Sequence, residues 1–127
     1  MKRKIIATDG APGAIGPYSQ GIKAGGFLFT AGQIPLDPAT MEVVGTTAPE
    51  QARQALTNAR AIVEAGGLGL GDVVKVTVFI RDMGQFAAIN EVYRTFFGEE
   101  PPARSVVEVS GLPKDVLVEV EMIAYSG

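Results

Sequence analysis

The sequence predicts an α+β fold in which two helices pack on one face of a mixed sheet, in the order β-β-β-α-β-α-β-β. Three observations predict it. Several segments alternate apolar and polar residues with the period of two that a half-buried strand requires, most clearly Asp72 to Asp82 and Val116 to Tyr125. Two other segments repeat their apolar residues at helical spacing, and the first opens with a capping signal. The 127 residues, 46% apolar and 20% charged, suit one folded unit with a single core, and residues 1–127 are read as one domain.

Lys4 to Ala7 reads as a short first strand, followed by a glycine- and proline-bearing loop from Asp9 to Pro17. Tyr18 to Ala24 and Phe27 to Ala31 flank Gly25-Gly26, a pair suited to a two-residue hairpin turn. The hairpin ends at Gly32-Gln33-Ile34-Pro35, and Asp37-Pro38 opens another turn. Thr47-Ala48-Pro49-Glu50 has the form of a capping box with proline in the first turn, and Ala52, Ala55, Leu56, Ala59, Ile62 and Val63 carry the helix to Gly66-Gly67. In the strand from Asp72 to Asp82, Val74, Val76, Val78 and Ile80 are expected on one face, with Val73, Lys75, Thr77, Phe79 and Arg81 on the other. A second helix is expected from Gly84 to Phe97, with Phe86, Ile89, Tyr93, Phe96 and Phe97 on one stripe. Pro101-Pro102 forces an extended connection into the last two strands, Arg104 to Val109 and Val116 to Tyr125, joined by a turn through Gly111, Pro113, Lys114 and Asp115.

Composition narrows the chemistry. The chain has no cysteine and no histidine, which removes disulfides, thiolate nucleophiles, Ser-His pairs and the commonest metal ligands. Any catalysis falls to Asp, Glu, Lys, Arg, Tyr, Ser or Thr and to the backbone. Fourteen acidic and eleven basic residues give a formal charge of −3 with no Lys/Arg cluster, so neither nucleic acid nor a membrane surface is the expected partner. The basic opening Met1-Lys2-Arg3-Lys4 leads into only Ile5-Ile6-Ala7, too short for a secretory leader, and a cytoplasmic protein is expected.

In the last strand Val116, Val118, Val120, Met122 and Ala124 share the face suited to the helices, leaving Leu117, Glu119, Glu121, Ile123 and Tyr125 opposite. Two helices cover one face only, so the other is either solvated or a subunit interface with clefts where its charges gather. Gly67-Leu68-Gly69-Leu70-Gly71 follows a helix and precedes a strand, the reverse of a dinucleotide fingerprint, and reads as a helix terminus with a turn. Glu99-Glu100 reads as a solvated loop pair, and Gly10, Gly13 and Gly16 as loop chemistry.

Arg104 opens a strand behind a stiff Pro-Pro-Ala approach and shares a face with Val106 and Glu108. It serves either a structural salt bridge or a small carboxylate ligand, which its planar fork fits better than lysine does. Glu119, between Val118 and Val120, is either paired across an interface or held for proton transfer. Asn90 interrupts the second helix's apolar stripe and needs a partner, a helix-to-loop bond being the plain choice. Tyr18 is core or the wall of a cleft.

Taken together, Gly16-Pro17-Tyr18-Ser19-Gln20, Ala31-Gly32-Gln33-Ile34-Pro35, Val78-Phe79-Ile80-Arg81-Asp82, Phe86-Ala87-Ala88-Ile89-Asn90, Pro102-Ala103-Arg104-Ser105, Leu112-Pro113-Lys114-Asp115 and Val118-Glu119-Val120-Glu121 resemble, in order, the RidA/YjgF reactive-intermediate deaminase family. The resemblance implies a chorismate-mutase-like fold, a homotrimer with three clefts between subunits, and cofactor-free hydrolysis of 2-iminopropanoate or 2-iminobutanoate to the 2-oxo acid and ammonia. Small 2-imino or 2-oxo acids are the implied partners. Arg104 resembles the arginine that binds the substrate carboxylate, and Glu119 the glutamate that positions the attacking water. Tyr18, Gly32 and Asn90 match cleft residues, Gly32 through its backbone. Val106 stands where many members have cysteine, keeping a backbone N–H but no thiol, and Ala31 stands where some have serine. Three other readings remain on this resemblance: a non-enzymatic carboxylate-binding or chaperone-like trimer, an RNA-cleaving translation inhibitor, and a chorismate mutase.

Overall fold

A computed structural model describes residues 2–127; Met1, the first residue of the basic opening, lies outside the described residues. The elements are β1 (Lys4–Ile6), β2 (Gly21–Ala24), β3 (Phe27–Thr30), α1 (Ala48–Ala65), β4 (Val73–Ile80), α2 (Phe86–Phe97), β5 (Ala103–Glu108) and β6 (Val118–Tyr125). They follow the expected order. The six strands form one sheet, β1-β2-β3-β6-β4-β5. Only β4 and β5 run parallel, as a crossover through α2 demands, and the remaining pairs are antiparallel.

α1 starts as its sequence dictates. The Thr47 side chain accepts from the Glu50 amide, and the Glu50 carboxylate accepts from the Thr47 amide. Such a cap contributes about 1 kcal/mol. These hydrogen bonds also hold the Glu50 carboxyl below its ordinary range, the Thr46 amide foremost. α1 packs Ala52, Ala55, Leu56, Ala59 and Val63, and α2 packs Ile89, Val92 and Tyr93, onto Val76, Val78, Ile80, Val118, Val120 and Met122 of the sheet. Among the described residues, no helix is long and apolar enough to cross a membrane.

Three departures from the sequence reading have local causes. Val73 is buried and Val74 is 44% exposed, the reverse of expectation, because a register irregularity between Val73 and Lys75 shifts the alternation. α2 begins at Phe86 because Asp82 caps a short 3₁₀ turn over Met83–Gln85, its side chain accepting from the Gly84 amide. β6 begins at Val118 because the Leu117 amide is taken by the Gln51 side chain at 2.7 Å. The helix-turn reading of the glycine run holds: Gly67 takes a positive φ of 86°, and the Gly69 amide donates to Asp72.

The helix-covered face is closed. On the opposite face β3, β4, β5 and β6 present Phe27, Phe29, Phe79, Val107, Ile123 and Tyr125 beside Lys75, Glu119 and Glu121, and several of these apolar groups remain more than 40% exposed.

Candidate active site

Register decides where the two charged candidates sit. Arg104 on β5 lies beside Val76 of β4, which in turn pairs with Met122, and both neighbours are fully buried under the helices. Arg104 therefore projects to the helix side. Glu119 pairs with Phe79, whose other neighbour is Val107, and this row faces away from the helices. The sheet itself separates the two. Within one chain they belong to different hollows, and the structure does not bring them together.

The Arg104 half is built by α2. One helix face carries Phe86, Asn90 and Tyr93, four and three residues apart, and parallel docking of β5 lays Arg104 across it. Nη1 of Arg104 donates to Oδ1 of Asn90 at 2.7 Å. The guanidinium carbon lies 4.6 Å from the Tyr93 ring centre and 5.5 Å from that of Phe86, distances at which a cation is attracted to the ring faces. Asn90 thus serves Arg104 rather than a loop. Among the described residues Arg104 forms no ion pair, so the structural salt bridge is absent within the chain. Val106, two residues on, also points to the helix side, where it packs on the core.

The Glu119 half is built by β6 and two loops. Gln33 brackets Val120 with a pair of backbone hydrogen bonds of 2.7 and 2.9 Å, which brings Gly32 against Glu119. A Cβ at Gly32 would meet the Glu119 carboxylate and force that side chain to move, so the absence of a side chain at Gly32 is what lets the carboxylate sit where it does. Buried Asn58 supports the segment by donating to the Ile34 and Leu36 carbonyls. The glycine loop closes the other side. Gln20, 6% exposed, accepts from the Thr8 amide and donates to the carbonyls of Thr8, Ala11 and Pro12, tying the loop's ends together. Tyr18 is 47% exposed, its hydroxyl accepting from the Ile15 amide, and it is therefore a wall and not core. Tyr18, Ala31, Gly32 and Glu119 line one hollow of about 280 Å³, at the small end for ligand sites. Burial, and secondarily the charge of Glu121, raises the Glu119 carboxyl above its ordinary value. Among the described residues Glu119 has no ion-pair partner.

The sequence reading named Tyr93 and Phe86 only as apolar stripe. Their signal was their spacing around Asn90, but which strand residue they meet depends on the parallel register of β5. Pro12 and Ile15, which wall the Glu119 hollow from the loop, carried no signal beyond loop composition. Among the described residues, no group of three or more His, Cys, Asp or Glu side chains could hold a metal ion.

A mixed six-stranded sheet with two helices on one face, Arg104 on the helix side and Glu119 on the other, defines a small α+β protein with two separate charged half-sites. Comparison with known proteins gives the family. Residues 8–126 match the model described as Endoribonuclease L-PSP. A RutC family protein of Pyrococcus horikoshii is 59% identical over 97% of this chain and 98% of its own. The 2-iminobutanoate/2-iminopropanoate deaminase of Escherichia coli K12 is 55% identical over 95% and 96%. The crystal structure of Escherichia coli TdcF with bound serine superposes with a TM-score of 0.93 at 51% identity, covering 98% of this chain and 99% of that one. The chain belongs to the YjgF/RidA family.

Proposed function

We propose that this chain is a 2-iminobutanoate/2-iminopropanoate deaminase, a hydrolase that acts without a cofactor at clefts shared between copies in a homotrimer. The observation that carries the reading is the placement of Arg104 and Glu119. They lie on opposite faces of one sheet, each without an ionic partner among the described residues. One chain therefore cannot join them, and the proposed site requires one copy's Arg104 half to meet another copy's Glu119 half. The apolar, partly exposed sheet face suits such an assembly. The deaminase name of the 55% identical relative supports the chemistry. The reading includes a cytoplasmic location, where amino-acid breakdown releases such imines.

Arg104 receives the substrate carboxylate through the N–H groups that Asn90 leaves unused, fixing the imine carbon over the neighbouring half-site. The protonated imine is already electrophilic. Glu119 accepts a proton as water adds to that carbon, forming a carbinolamine. It then returns that proton to nitrogen and takes up the carbinolamine hydroxyl proton as the C=O forms and the C–N bond breaks. Ammonia carries this proton away as ammonium, and the 2-oxo acid leaves. A carboxyl raised above its ordinary value is better matched to both transfers. Tyr18 and Ala31 wall the cleft, the Gly32 backbone lies against the Glu119 carboxylate, and Val106 contributes its backbone N–H.

The test is complementation. Arg104→Ala and Glu119→Gln proteins are each expected to be inactive in hydrolysing imine generated by an amino-acid oxidase and trapped by semicarbazide. Co-expressed, they should recover about a quarter of wild-type activity, because a random closed ring places an intact Arg104 opposite an intact Glu119 at one interface in four. A mixture as inactive as its parents overturns the shared site. Unchanged imine loss with the wild-type protein, together with 2-oxo acid binding, would support the non-enzymatic carboxylate binder instead. The description of the matching family model favours RNA cleavage as a second reading. It requires that RNA be degraded by the purified chain and spared by Arg104→Ala; the −3 charge and missing histidine oppose it.

A further inference from the structure

We propose that Tyr93 is a positioning residue for Arg104: its ring, together with the Asn90 amide, holds the guanidinium in one plane and leaves the rest of the fork for a ligand carboxylate. The inference rests on the function proposed above, and it adds a residue to which neither the sequence nor the family match gave a role.

Four observations meet at this ring. The guanidinium carbon lies 4.6 Å from its centre, closer than to Phe86 at 5.5 Å. The ring cannot readily move, because Tyr93 is 6% exposed, belongs to the main core and packs on Phe97 with ring centres 4.8 Å apart. The recorded hydrogen bond of Arg104 goes to Asn90, one helical turn before Tyr93 on α2, and spends one of five N–H donors. Finally, the Tyr93 hydroxyl is buried without a hydrogen-bond partner among the described residues. Burial pushes this phenol up to about 12, against the opposing pull of Arg104, so it stays neutral and holds the cation by its π face, not as a phenolate.

An arginine so held differs from one neutralised by a carboxylate. A ring face attracts the cation without occupying the in-plane N–H groups, which are the ones a carboxylate ligand needs. Tyr93 should therefore set ligand affinity more than the rate of the proton transfers, which occur at Glu119.

The experiment compares wild type with Tyr93→Phe, Tyr93→Leu and Tyr93→Met, the last filling the space with a flexible chain should the leucine variant fail to fold. Calorimetric binding of 2-oxobutanoate and the KM and kcat of imine hydrolysis are measured below each variant's melting temperature. Loss of the ring is expected to weaken binding and raise KM about tenfold while kcat changes far less. Tyr93→Phe, which keeps the face and removes the orphan hydroxyl, should restore binding to within about twofold and melt no lower than wild type. The inference is overturned if Tyr93→Leu or Tyr93→Met binds like wild type while Arg104→Ala does not, an outcome that leaves the proposed function standing. It is also overturned if Tyr93→Phe binds as poorly as the ringless variants, since the hydroxyl would then be the working group. Arg104-dependent binding without imine hydrolysis removes the proposed function but leaves Tyr93 to be judged on binding alone. A wild-type chain that neither binds nor hydrolyses removes both.

Discussion

The two halves of the candidate site are finished to different degrees within one chain. Around Arg104 the chain supplies an acceptor, Asn90, and two ring faces, so the cation is held although no anion among the described residues meets it. Around Glu119 the chain supplies crowding: Gly32 pressed against the carboxylate, a loop over it, and Glu121 nearby. One half is prepared and the other is strained toward neutrality. On the same face these groups would pair with each other and be lost to a ligand. The sheet between them prevents that, and each remains available.

The largest way to break this comparison is to remove one charge at a time. Glu119→Gln is expected to lower kcat about 10²–10⁴-fold with binding of 2-oxo acids largely kept, whereas Arg104→Ala should lose both. The glutamine variant should also stay folded. The Glu119 carboxyl sits above its ordinary 4.5 in the folded chain, so its contribution to stability is present below 4.5 and lost as pH rises through the raised value. At neutral pH the amide removes a buried-charge penalty, and a melting temperature no lower than wild type is the check.

Gly32→Ala comes next. Its Cβ would displace the Glu119 carboxylate and should cost at least about tenfold in kcat, since small misplacements near reacting atoms are expensive. Because it disables only the Glu119 half, it should recover activity when co-expressed with Arg104→Ala and none with Glu119→Gln. Recovery in the second mixture would mean that Gly32 acts elsewhere.

Smaller effects sharpen each half separately. Burial raises the Glu119 carboxyl first and the Glu121 charge second, so Glu121→Gln should move the acid limb of the kcat/KM profile downward without bringing it to 4.5. Lys75 shares that sheet face but donates to Ser105 at 2.9 Å, and its replacement by Met is a control for general charge effects. On the other half, Phe86→Leu removes the more distant, 37% exposed ring and should weaken 2-oxobutanoate binding only about twofold.

Most of the architecture was legible because period and punctuation agree: the Thr47-to-Glu50 cap, the uninterrupted alternation of β6, and the turn at Gly66-Gly67 all say the same thing locally. Val73 and Val74 were assigned to the wrong faces because a bulge leaves no residue signature in this strand. The alternation did place Arg104 with Val106 and Glu119 with Leu117. It could not say that those sets lie on opposite faces, since relating β5 to β6 requires knowing that Arg104 lies beside Val76 and Glu119 beside Phe79. Likewise the helix stripe showed that Tyr93 would be covered, but not that a guanidinium would do the covering.

The clip formed by Gln20 has a consequence for how such a chain can diversify. One amide fastens both ends of the stretch between Thr8 and Gln20, and residues 13–18 are solvent-facing. Changes of length or sequence confined to residues 13–18 are therefore expected to leave the register of the sheet intact. Since Gly13, Ile15 and Tyr18 of that stretch also line the hollow beside Glu119, a lineage, or an engineer, could reshape its wall by rewriting a handful of surface positions.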